Sequence, residues 1–284
     1  VSVGLIDADI YGHSAPRMLG VEGTRPTVVE SMIMPMPAHG VKVISTEMFK
    51  PDRDQPVAWR GPMLHRALQQ FLTDVYWGDL DVLLLDLPPG TGDVAISLAQ
   101  LLPNAEIVVV TTPQIAAAEV AERAGSIAVQ THQQVAGVIE NMSYLDVPGP
   151  DGSVQKMELF GSGGGQAVAD GLGRRLGSSV RLLGEIPIDV ALREGGDIGK
   201  PLVLTDPDAP AARVLRDVAR SLSHRQRGLA GMSALVGGVE DRVVLRLEVR
   251  RALDRHGAAD GLVGLLDVGA SVPDGAEQVE AGLR

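Results

Sequence analysis

Short, nearly continuous apolar runs alternate with longer helical stretches along most of this chain, and that alternation leaves few folds open. Val3 to Asp7, Val41 to Ser45, Val82 to Asp86, Ile107 to Thr111, Val135 to Ile139 and Val180 to Ile186 each read as a strand covered on both faces. Between them, Leu64, Leu68, Phe71, Leu72 and Val75 recur at three- and four-residue spacing, and Gln114 to Val129 is rich in Ala with no internal Pro. Asp208 to Ser223 reads as a further helix, with Asp208 placed to cap it and Val214, Leu215, Val218 and Leu222 on one side. The expected fold is α/β, with an open, mostly parallel, doubly wound sheet.

Composition limits the organisation and the chemistry. A break near Gly228 divides the chain into an α/β domain over 1–228 and an appendage over 229–284, expected to be weakly ordered. All eight aromatic residues lie between Tyr11 and Phe160. Within the appendage Val243, Leu245, Leu247 and Val249 alternate with other residues in a strand-like period. The net charge of -11 argues against nonspecific nucleic-acid binding, which needs a positive face. No apolar run is long enough to span a bilayer, and the first eleven residues contain no Lys or Arg, so a cytoplasmic protein is expected. Position 1 is Val, and the chain enters a strand-like run almost at once, from which a missing N-terminal part is expected. The 284 residues include no cysteine, so they offer no thiolate nucleophile or thiolate metal ligand.

Two segments concentrate carboxylates at strand ends. Trp77 to Asp93 carries Asp86 at the end of a buried run, followed by Pro88, Pro89 and Gly90. Ligands sit at the carboxyl ends of strands in open α/β sheets. An aspartate there can hold a Mg²⁺-bound water, and Gly90 lets backbone approach a phosphate. The alternative is a helix-capping Asp after a rigid diproline turn. Asp7 and Asp9 end another run; a carboxylate pair at i and i+2 can orient a water and a metal ligand, or can simply be a polar strand terminus.

These two segments, followed in order by Gly137-Val-Ile-Glu-Asn-Met-Ser143, Phe160-Gly-Ser-Gly-Gly-Gly165 and Gly184-Glu-Ile-Pro-Ile-Asp189, resemble the Mrp/ApbC family of ATP-dependent iron-sulfur cluster carriers, which are MinD-like P-loop ATPases. The resemblance covers roughly residues 1 to 228. It implies ATP and Mg²⁺ as cofactors, a homodimer, and iron-sulfur apoproteins as clients. By the same resemblance Asp7 and Asp9 form the first switch segment, with Asp9 positioning the attacking water as the catalytic residue. Asp86, Pro88 and Gly90 form the second switch, with Asp86 sensing Mg²⁺ through a water. Asn141 takes the adenine-recognising position, and Pro187 and Asp189 fall in the loop that closes over the base. A β-to-α turn with a helix cap is the equal alternative for that last pair.

Two departures from the family pattern stand out. Its glycine-rich phosphate-binding loop, ending Gly-Lys-Ser/Thr, and the strand before it are not found in these residues; Lys42, Lys50, Lys156 and Lys200 lie in no such loop. Gly161 to Gly165 has no Lys and reads as a flexible helix entry in preference to an anion site. The family's Cys-x-x-Cys is replaced by Tyr144-Leu-Asp-Val-Pro-Gly-Pro150, and the six histidines show no ligand-like spacing, so no cluster ligand is identified. The resemblance therefore implies an ATP-binding cluster carrier. The alternatives are a MinD/ParA-like positioning ATPase or a catalytically dead fragment acting as a binding module. These 284 residues are expected to hydrolyse ATP poorly, because losing even one preorganised donor costs about 10² to 10³ in rate. Single-turnover hydrolysis checks this, and family-like turnover would refute it.

Overall fold

A computed structural model describes residues 1–9, 12–50, 61–88, 93–114, 127–223 and 243–248, the last six by their backbone. The strands are β1 (Val3–Asp7), β2 (Thr27–Val29), β3 (Met32–Met34), β4 (Met36–Ala38), β5 (Val41–Ser45) and β6 (Val82–Asp86), then β7 (Glu106–Thr111), β8 (Gln134–Glu140), β9 (Leu145–Pro148), β10 (Val154–Met157), β11 (Leu182–Glu185) and β12 (Val243–Glu248). Eight of them form one sheet in the order β11-β8-β7-β12-β6-β1-β5-β4. All its pairings are parallel except that of β4 with β5. The expected open, mostly parallel α/β sheet is the fold observed.

Alternation along each strand builds two cores. In β7, Ile107 and Val109 face one layer while Val108 and Val110 face the other. Six consecutive residues, mostly β-branched, suit a strand buried on both sides. The first core seats helices Gly61–Thr73, Asp93–Leu101 and Gly164–Leu176 through Leu68, Phe71, Leu98 and Leu172. The second seats Val190–Asp197, Leu202–Thr205 and Pro210–Ser223 through Leu192, Leu202, Leu215 and Val218. Trp77 anchors the turn into β6: its indole N–H donates to the Phe71 carbonyl at 2.9 Å, and Lys42 donates to its own carbonyl.

Several boundaries differ from the sequence expectation for local reasons. The helix expected from Asp208 starts at Pro210, since proline fits the first helical position, where no amide hydrogen bond is needed. Asp208 lies outside it and pairs with Arg213 at 3.8 Å. Val75 lies past its helix but is buried, in a bridge with Ile33. Of the helix expected over Gln114 to Val129, residues 115–126 fall outside the described residues, and 127–131 are helical. The strand-like alternation in the C-terminal segment is a strand, β12, within the main sheet.

Leu98 is wholly buried in the first core, on helix Asp93–Leu101. Leu98→Ala is expected to cost about 2 to 5 kcal/mol, through lost transfer energy plus a residual cavity. Urea unfolding measures it, and a change in midpoint without a change in slope is the expected signature.

Candidate functional site

Parallel strands end on the same edge, so register decides which residues meet there. Asp7, the last residue of β1, pairs with Ser45 at the end of β5 on one side and with Asp86 at the end of β6 on the other. This places a serine and two aspartates in one row across three strands. All three are buried, and Asp9, just beyond β1, is buried too.

Hydrogen bonds fix the row. The Ser45 hydroxyl donates to Asp7 Oδ2 at 3.1 Å, and the Asp9 amide donates to Asp7 Oδ1 at 3.1 Å. The Gly12 amide donates to Asp9 Oδ1 at 3.0 Å, and the Ala8 amide to the Asp86 carbonyl at 2.8 Å. Ser45 also accepts from the Glu47 amide at 3.2 Å, tying the 3₁₀ turn Thr46–Phe49 to the same row. From beyond that turn Lys50 reaches His13 Nε2 at 2.7 Å.

Burial pushes the Asp7 carboxyl well above the usual aspartate range, and the neighbouring Asp86 and Asp9 push it further; the Ser45 hydroxyl and Asp9 amide pull it partly back. Asp7 therefore keeps its proton to higher pH than an ordinary aspartate. Hard carboxylate oxygens in one row suit Mg²⁺, which takes one or two carboxylates and retains waters. Among the described residues no three His, Asp or Glu side chains gather into a group that could hold a metal ion.

The other expected residues lie after strands of the same sheet. Asn141 follows β8; its amide donates to the Thr111 carbonyl and its Oδ1 accepts from the Met142 amide, both at 2.8 Å. Met142 is held at φ +57°, a left-handed conformation that costs a β-carbon-bearing residue about 1 to 3 kcal/mol. Pro187 is buried after β11, and Asp189 caps helix Val190–Asp197, accepting from the Ala191 amide at 2.8 Å and the Leu192 amide at 3.3 Å. Pro88 is half-buried after β6, and Gly90 lies outside the described residues.

Sequence reading missed Ser45 and Glu140. Ser45 was already the last residue of an expected strand, and its partnership with Asp7 needed only the register. Glu140 is buried and accepts from the Gly165 amide at 2.5 Å, which fills the N-terminus of helix Gly164–Leu176 with an internal carboxylate. A β-carbon on Gly164 would lie 2.5 Å from the Pro113 carbonyl oxygen, and one on Gly165 would lie 2.8 Å from the Glu140 β-carbon. Gly164 and Gly165 thus serve close packing of this helix entry, whereas Gly161 and Gly163 stand in open space at positive φ, +87° and +77°.

The family model "ParA: NUBPL iron-transfer P-loop NTPase" matches residues 1–223. The chain belongs to this family. Among relatives of this NUBPL-type NTPase chain, the iron-sulfur cluster carrier protein of Mycobacterium tuberculosis is 64% identical over 233 residues, covering 82% of the chain and 60% of the relative. That of Synechocystis is 44% identical over 239 residues, covering 83% and 64%. The chain thus spans about 60% of the length of the most similar of these relatives. A nucleotide-binding protein from Archaeoglobus fulgidus solved in complex with ADP superposes with a TM-score of 0.57 at 32% identity, covering 73% of this chain and 76% of that one. The septum site-determining protein MinD of Pyrococcus horikoshii shares the fold, with a TM-score of 0.52 at 21% identity, covering 83% and 87%. No helix among the described residues is long and apolar enough to cross a membrane.

The raised Asp7 carboxyl gives this NTPase domain a signed pH dependence. Where the folded group binds its proton more tightly than the unfolded one, its contribution is full below the unfolded pKa and is lost as pH rises through the folded value. Asp7→Asn should remove that loss, so the variant's melting temperature relative to the parent rises from pH 4 upward. Melting curves from about pH 4 to 8 measure this, and a constant difference would refute it.

Proposed function

We propose that this chain is the nucleotide-responsive domain of an iron-sulfur cluster carrier, binding ATP with Mg²⁺ at the carboxyl edge of its sheet and coupling that binding to cluster delivery to apoproteins. The observation that carries the reading is the convergence of Asp7, Asp9 and Asp86, all buried, at one edge of the sheet. Relatives 64% identical over most of the chain and named iron-sulfur cluster carriers support the cargo.

The residues divide the work by position. Asp86, at the end of β6, would hold Mg²⁺ through a bound water. Asp9, fixed by the Gly12 amide, is the carboxylate that orients a water and takes its proton. Asp7 orders Asp9 through its amide and shares the charge of the row. Mg²⁺, when bound, supplies neutralisation of phosphate charge. Asn141 offers a carboxamide to the adenine edge, where an amide both donates and accepts, and Pro187 and Asp189 border the base from the loop after β11. The cluster is cargo here, and since these 284 residues contain no cysteine, its thiolate ligands must come from elsewhere.

The protein works as a cytoplasmic homodimer in this reading. Support comes from the β9 and β10 hairpin, which pairs apart from the main sheet and leaves Val154 and Met157 exposed. The likeness to MinD lies in the fold alone and does not favour a positioning role.

Calorimetry of ATP binding with and without Mg²⁺ tests the site. Binding is expected to tighten with Mg²⁺, and Asp86→Asn to reduce that gain by about tenfold or more. Mg²⁺-independent binding by the parent chain would sink the assignment. Anaerobic reconstitution of these 284 residues alone should yield no stoichiometric cluster by iron and sulfide analysis.

A further inference from the structure

One buried acid organises the loops around Asn141. Glu140 ends β8, in register with Thr111 at the end of β7 and with Glu185 at the end of β11. The chain then leaves the main sheet over residues 141–164, which carry Asn141 and the hairpin of β9 and β10, and returns in helix Gly164–Leu176. Glu140 Oε2 accepts from the Gly165 amide, 25 residues along the chain, and so clasps the two ends of that excursion at its root. The first amides of a helix have no partner within it, and Gly163 at the cap position has no side chain to offer one. The carboxylate, itself only 1% exposed, takes over that task.

The main chain of Glu140 fastens a second wall. Its carbonyl accepts from the Ile186 amide at 2.8 Å and from the Ser143 hydroxyl at 3.1 Å. The Ser143 amide donates back to the Ile186 carbonyl at 2.9 Å, and the Ile188 amide donates to the Tyr144 carbonyl at 2.7 Å. Asn141 follows Glu140 directly and Pro187 follows Ile186, so both hang from the same node. Burying a carboxylate is costly unless it is hydrogen-bonded, and here the bond it makes joins a helix, a strand end and two loops.

We infer that Glu140 is a positioning residue: by clasping the helix entry to the end of β8 it sets where Asn141 and Pro187 stand, and so which base is accepted. That role rests on the reading of Asn141 as the adenine contact. Glu140 acts through Asn141, whose carboxamide must meet both the donor and the acceptor of the base edge at once. Reach matters more to the clasp than charge. Gln keeps a carbonyl oxygen at the same distance, whereas Asp keeps the charge and draws it back by one methylene.

Two measurements test this. In hydrogen exchange without nucleotide, Glu140→Asp should speed the Gly165, Asn141 and Ile186 amides by about tenfold or more, leave Leu84 and Val109 unchanged, and Glu140→Gln should keep the parental rates. Gly165→Ala, whose methyl would stand 3.1 Å from Glu140 Oε2, attacks the same contact from the helix side and should repeat the Asp pattern. In calorimetry with Mg²⁺ the parent should prefer ATP to GTP, Glu140→Asp should cut that preference by about tenfold, and Glu140→Gln should retain it. Parental exchange rates in Glu140→Asp and Gly165→Ala, or a Gln variant that behaves like Asp, would overturn the clasp. ATP and GTP weakened equally would leave Glu140 a structural residue and overturn its part in base choice. A parent that does not distinguish ATP from GTP would overturn the assignment of Asn141 to the base, with the exchange rates still deciding the clasp.

Discussion

Asp7 and Asp86 stand side by side at the ends of two adjacent parallel strands, and much of the architecture around them serves to hold that arrangement. Neighbouring carboxylates away from water repel each other and resist ionisation, so the row is an expensive element to keep. Ser45 donates to Asp7 from one side, and the Asp9 amide donates to it from the next turn of chain. Leu83 and Leu85 lock β6 into the first core, and Ile6 and Ile44 do the same for β1 and β5. A one-residue slip of β1 against β6 would send Asp7 to the opposite face and separate the pair.

The rest of the edge follows the same economy of local fixing. Asn141 is held by Thr111 and by its own turn, at the cost of a left-handed Met142. Glu140, one residue earlier, satisfies the N-terminus of helix Gly164–Leu176, and the paired glycines there let that helix approach the strands closely. A buried acid that looks superfluous in the sequence thus sets the position of a helix and of the loop before it. Strain and internal capping both sit within the segments that the candidate site uses, which is where a protein concentrates departures from ideal local structure.

Much of this was legible in the residues before any coordinates. β1, β5 and β6 run over the spans expected, because continuous apolar runs ended by Asp or Ser leave little choice of boundary. Asp7 and Asp86 end β1 and β6, as their places after apolar runs imply, while Asp9 lies two residues beyond β1. Asp189 is a helix cap, one of its two readings, because its own side chain reaches the next two amides. The start of the last long helix was misplaced by two residues, since Pro210 is a stronger initiator than an Asp two positions before it. The two small hairpins, β2 with β3 and β9 with β10, escaped notice because their strands are short, mostly exposed and without clear alternation.

The sequence by itself determined the class of fold, the succession of strands and helices, and the identity of the acids at strand ends, because burial on both faces imposes a local pattern that survives in one dimension. Neighbourhood across the sheet was decided only by the tertiary structure. Nothing in the order of residues says that Ser45, Asp7 and Asp86 share a row, or that Glu140 meets Gly165, since pairing between strands depends on contacts made across long stretches of chain. Period and propensity are properties of a segment, whereas register and strand order belong to the whole sheet.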